Sequence, residues 1–100
     1  MNINALMQQA QKMQREMQKK QAELEASTFE VTSAGGAIKI LIKGSRQIEK
    51  IDIDADAIDP EDKEMLEDMI KVAVNEAIAV VDAAFDKLNA SMTNGMRMPF

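Results

Sequence analysis

The chain has no cysteine and no histidine, and its only aromatic residues are three phenylalanines. Without cysteine there is no disulfide framework and no thiolate chemistry, which fits a reducing compartment. Without histidine the commonest general base and the commonest transition-metal ligand are gone. Only four glycines and two prolines interrupt 100 residues, and 29% of the chain is charged, a composition of folded rather than disordered protein. No apolar run approaches the roughly 20 residues of a membrane span. The opening MNINALMQQAQ is too polar for a secretory signal. There is no Walker loop and no dinucleotide fingerprint. Phe29, Phe85 and Phe100 are too few for a base-stacking platform on strands. The expectation is one soluble cytoplasmic domain over 1–100, not an enzyme, with no cofactor, metal, small-molecule substrate or membrane.

What is present is a charge asymmetry. The formal net charge is −5. Residues 1–50 nevertheless hold eight Lys and Arg against five Asp and Glu, whereas residues 51–100 hold four against twelve. Within the basic half, Lys12, Arg15 and Lys19 recur at helical spacing. They lie opposite an apolar stripe of Ile3, Leu6, Ala10, Met13, Met17 and Leu24. A basic helix face on an acidic protein is a candidate surface for a polyanion.

The periodicity predicts a helix over 3–25, capped by Asn2 or Asn4 and built from Ala, Leu, Met, Gln, Lys and Glu. Its 3-4 apolar spacing is close to a heptad seam, which wants another helix against it. Over 27–53 the period changes to two, and three strands are expected. Ala34-Gly35-Gly36 forms the first turn and Gly44-Ser45 the second. Ile48 has the wrong parity for the inner face, so a bulge is expected near Glu49. A long helix is predicted over 60–90, with Asp59 as cap and Pro60 at its first position. Residues 93–100 are expected to be a flexible tail. The order is α-β-β-β-α, an α+β fold with a three-stranded antiparallel meander flanked by two long helices. A compact chain of this length has a radius of gyration near 13 Å, shorter than such helices. One helix must protrude or pack on a second subunit, and a homodimer is expected.

Each motif has a plainer reading beside the functional one. Lys12, Arg15 and Lys19, with Lys20 beside them, suit phosphate contacts that release counterions. They also suit an ordinary solvated helix face. Lys39, Lys43 and Arg46, around the second turn, either extend that patch or guard strand edges. Met7, Met13 and Met17 form either an adaptable groove or a helix-packing stripe. Asp52, Asp54 and Asp56 have the start of a calcium-loop spacing, but its sixth position is Ala57 and its twelfth Lys63, so that site is rejected. Two function classes remain. One is binding of duplex DNA through its backbone. The other is a protein-interaction module using the Met-rich or acidic helix faces, with incidental DNA affinity.

The segments LMQQAQKMQREMQKKQAELEASTFEVTSAGGAIKILIKG, IEKIDIDADAIDPEDKEMLEDMIKVAVNEAI and GMRMPF resemble the YbaB/EbfC nucleoid-associated proteins over essentially the whole chain. The resemblance implies a bacterial, non-enzymatic homodimer of α-β-β-β-α fold with helices protruding like tweezers. It further implies binding of double-stranded DNA, an altered DNA conformation, and a place in the nucleoid and in gene regulation. The family's DNA contact is associated with the long terminal helices. Carried onto this chain, that implies Lys12, Arg15, Lys19 and Lys20 on the first helix, with Lys87 and Arg97 from the C-terminal end.

Overall fold

A computed structural model describes residues 2–95. Helix α1 spans Ile3–Ala26, strands β1, β2 and β3 span Thr28–Ser33, Ile38–Lys43 and Ile48–Ile53, and helix α2 spans Lys63–Gly95. The α+β order α-β-β-β-α expected from the periodicities is the observed one.

The sheet runs β1-β2-β3 and is antiparallel throughout. Alternation places Ile38, Ile40 and Ile42 on one face of the central strand, where all three are buried. Opposite them in register stand Phe29, Val31 and Ser33 on β1. On β3 the pairing passes from Leu41↔Lys50 to Ile42↔Ile48. Glu49 is therefore the extra residue of a bulge, and the bulge returns Ile48 to the inner face. Helix α2 closes this face with Ala73, Ala77 and Val81, one stripe at four-residue intervals. Two of those three contacts are alanines, so the helix axis lies close to the sheet. Each of the three buried isoleucines contributes about 2–3 kcal/mol through burial.

The bounds differ from expectation at α2. Asp59 does not cap the helix. Its Oδ1 accepts from the Glu61 N–H and its carbonyl oxygen from the Asp62 N–H, which closes a turn around Pro60. Asp62 then accepts from the Met65 N–H at 3.2 Å and starts α2 at Lys63. Two caps in tandem delay the helix by three residues. At the other end α2 continues through Thr93, Asn94 and Gly95, part of the expected tail. The remainder of that tail lies outside the described residues.

The molecule is elongated, 73 × 28 × 16 Å, with a radius of gyration of 19.9 Å. The excess over about 13 Å for a compact chain comes from the helices. No residue of α1 is fully buried. It leaves the body as an arm, with Met13, Met17 and Leu24 half-buried and Ile3 67% exposed.

Candidate nucleic-acid interface

The arm begins at the turn between β2 and β3. The last carbonyls of a helix have no partner within it. Here the Glu23 carbonyl oxygen accepts from Ser27 Oγ at 2.8 Å, that of Leu24 from the Ser27 N–H, and that of Glu25 from the Ser45 N–H. Gly44 donates its N–H to the Ser27 carbonyl oxygen at 2.9 Å. The next residue in the turn, Arg46, reaches the other helix. Its Nε donates to Asp82 Oδ1 at 3.2 Å, Nη2 bonds the same oxygen, and the guanidinium lies 5.4 Å from the Phe85 ring centroid. One four-residue turn thus fastens both helices to the sheet.

Helical spacing puts Lys12, Arg15 and Lys19 within about 60° of one another around α1. They face away from the half-buried Met13, Met17 and Leu24, and all three are exposed. Lys20 sits on the flank nearer α2. It lines a groove of about 460 Å³ with Lys87 of α2, over a floor that includes Leu24, Ala84 and Leu88. The fold therefore brings Lys20 and Lys87 together at the fork between the helices and keeps the other three on the outer face. Arg97 lies outside the described residues.

Four other basic residues are engaged elsewhere, while Lys39 and Lys50 on the sheet take part in no ion pair among the described residues. Lys43 pairs with Glu49 at 3.2 Å, Arg46 with Asp82, Lys63 with Glu67 and Lys71 with Asp68. Lys39 stands at the far end of β2 from the second turn, opposite Asp52. The expected extension of the basic patch through Lys39, Lys43 and Arg46 does not form. Lys43 and Arg46 are held in ion pairs, and Lys39, which is in none, is a strand's length away from them. Among the described residues, Lys12, Arg15, Lys19, Lys20 and Lys87 take part in no ion pair. Within the acidic run 52–56, Asp54 is locally engaged, since its Oδ1 accepts from the Asp56 N–H and begins a short 3-10 turn.

Two features were not visible in the residue pattern, namely the contact of Gly44 with the end of α1 and the clasp of Arg46 on Asp82 and Phe85. Gly44-Ser45 is legible as a turn, but nothing local to it shows what it touches. The one signal for Arg46 is its place after Gly-Ser in a tight turn, where its φ is 70°.

Fold and site together define a small α+β protein that carries unpaired cationic side chains on projecting helices. Residues 1–96 match the YbaB/EbfC DNA-binding family, and the chain belongs to it. This is a DNA-binding family rather than an enzyme family. A nucleoid-associated protein of Clostridium novyi (strain NT) is 44% identical over 99 residues, covering 99% of this chain and 87% of that one. A nucleoid-associated protein of Ruminiclostridium cellulolyticum is 45% identical over 95 residues, covering 95% and 83%. The crystal structure of an uncharacterized protein from Helicobacter pylori has the same fold, with a TM-score of 0.72 at 21% identity over 92% of this chain and 97% of that one.

Proposed function

We propose that this chain is a nucleoid-associated protein that binds double-stranded DNA as a homodimer and alters the conformation of the duplex. The contacts are to phosphates, from Lys12, Arg15, Lys19 and Lys20 on α1 and Lys87 on α2, with Arg97 the remaining candidate. The observation that carries the reading is the division of the cations. Lys43, Arg46, Lys63 and Lys71 have carboxylate partners, whereas the five on α1 and the far part of α2 have none among the described residues. Lys39 and Lys50 are in no ion pair either, but they line a hollow on the sheet together with Glu30 and Asp52. An unpaired ammonium on an exposed helix loses little on meeting a phosphate and releases a condensed counterion. A DNA partner places the protein in the cytoplasm, at the nucleoid. No helix among the described residues is long and apolar enough to cross a membrane.

Apolar surface that one chain leaves open supports the dimer reading. Helix α2 packs on β1 and β2 and leaves the inner face of β3 partly uncovered, with Ile51 41% exposed. The flank of α2 toward β3 is marked by Asp82 and Phe85, which Arg46 meets, and it carries Ile78, 36% exposed. An apolar face shared by a sheet edge and a helix flank suits a self-complementary, two-fold interface. Two pairs of arms on one particle give two cationic surfaces, which suffices to bend or bridge a duplex.

The test is a mobility-shift titration on duplexes of unrelated sequence at low and high salt. Binding should be independent of sequence and fall steeply with salt. Replacing Lys12, Arg15 and Lys19 together by Ala should weaken it at least about tenfold, as expected for the loss of several phosphate contacts, with circular dichroism unchanged. A folded triple variant that binds as the parent does would remove α1 from the interface.

A further inference from the structure

On the opposite flank of α2 from Ile78 lies an open groove of about 650 Å³, between the first half of that helix and the end of β1. Its walls carry four carboxylates, Asp62, Glu64, Asp68 and Glu76, and no basic residue lines it. Its floor is apolar. Met65 is 57% and Val72 47% exposed there, beside the half-buried Met69. At its head stands Ser33, the last residue of an edge strand, with its side chain on the face that α2 covers. Ser33 is only 6% exposed, and its Oγ has no hydrogen-bond partner. A buried hydroxyl without a partner is uncommon and is costly unless something meets it.

We infer that this groove is a docking site for a protein segment that is both cationic and apolar, with lysines or arginines for the walls and aliphatic side chains for the floor. Charge selects the class of partner. Four carboxylates repel a phosphate backbone, so the groove is closed to the DNA that the arms would hold. Among the described residues no three carboxylates converge closely enough to hold a metal ion. The charge is instead spread along a channel, as an extended cationic segment requires. Asp62 is engaged in capping and Asp68 pairs with Lys71, leaving Glu64 and Glu76 as the two carboxylates with no partner among the described residues. The exposed methionine and valine fit an apolar complement, which distinguishes docking from simple attraction to a net charge of −5. The groove and the β3 patch lie on different flanks of α2, so a dimer formed through the latter keeps the groove open. One particle then holds DNA on its arms and a cationic protein segment on its body.

The probe is a short fluorescent peptide of lysine and leucine, titrated by anisotropy against a lysine–serine peptide of equal charge. The full chain is used, with duplex-DNA binding measured on every variant. The lysine–leucine peptide should bind more tightly to the parent. Met65→Ser with Val72→Ser should abolish the preference, and Glu64→Gln with Glu76→Gln should weaken binding at least about fivefold, or about 1 kcal/mol, and flatten its salt dependence. DNA binding should survive in both pairs, so a failed peptide experiment leaves the DNA reading intact. Equal binding of the two peptides, or unchanged affinity in a pair that keeps its helical circular dichroism, overturns the inference. If a pair unfolds, Glu64→Gln alone decides in the same way. Sedimentation of the protein alone guards against a different occupant, because loss of self-association in the Glu64→Gln, Glu76→Gln variant would assign the groove to a second copy and overturn the proposal.

Discussion

A Cβ on Gly44 would lie 1.9 Å from the carbonyl oxygen of Leu24 and 2.7 Å from its carbonyl carbon. Both obstacles are backbone at the end of α1, so no side-chain rotation relieves the clash. Gly44→Ala should therefore cost at least the usual penalty for overpacking, about 2–3 kcal/mol, read from the midpoint of chemical denaturation at fixed protein concentration. Ser45→Ala is the control. Its recorded hydrogen bond to α1 comes from the backbone N–H, so the substitution should stay within about 0.5 kcal/mol of the parent. A Gly44→Ala protein as stable as the Ser45→Ala one would mean that α1 is not seated on this turn.

Arg46 combines a strained backbone with a useful side chain. Its φ of 70° favours glycine, while its guanidinium holds Asp82 and Phe85. Arg46→Gly relieves the first and loses the second, whereas Arg46→Ala only loses. Arg46→Gly should thus be the more stable variant, by roughly 1 kcal/mol. Both members of the ion pair are about half exposed, so solvent screens it. A double-mutant cycle of Arg46→Ala with Asp82→Ala should return a coupling of about 0.5–1 kcal/mol that shrinks as salt rises. A coupling of zero at low salt would reduce the clasp to a passive contact.

Much of this fold was legible because its periods are clean. Ile38, Ile40 and Ile42 alternate without exception, and the wrong parity of Ile48 located the bulge at Glu49. The seam of Met13, Met17 and Leu24 is the half-buried side of α1, and Leu24 shares a groove with Ala84 and Leu88 of α2. The start of α2 misled because Asp59-Pro60 and Asp62 are both good helix starts, and local propensity cannot rank two caps in series. The fate of the basic residues was legible only in part. Lys12, Arg15 and Lys19 sit on a helix whose faces can be read by arithmetic. The partners of Lys43 and Arg46, by contrast, depend on where Glu49 and Asp82 arrive in space. Arg46 and Asp82 are 36 residues apart, beyond any local pattern.

The dimer can be tested at its apolar patch. Ile51→Asp or Ile78→Asp puts a carboxylate where the proposed seam excludes water. Neither side chain is fully buried within one chain, so the fold should persist. Sedimentation equilibrium should show the parent as a dimer and each variant as a monomer, because an unpaired buried charge costs several kcal/mol. DNA affinity should fall with it, since a monomer presents one pair of arms instead of two. Variants that remain dimeric would move the seam elsewhere, to the exposed apolar residues of α1.

The fork between the helices separates two geometries of DNA contact. Lys12, Arg15 and Lys19 look outward from α1, whereas Lys20 and Lys87 face one groove. A duplex lying along the outside of the arm would touch the first set only. A duplex seated in the fork would also touch the second. Each lysine on a phosphate contributes close to one unit to the slope of log affinity against log salt. With all five in contact, Lys20→Ala with Lys87→Ala should lower that slope by about two and the outer triple by about three. The two effects should add, because the groups share no partner among the described residues. If the slope of the Lys20→Ala, Lys87→Ala protein equals that of the parent while the triple still falls, the fork is not part of the interface. The duplex would then lie along the outer face of α1 alone.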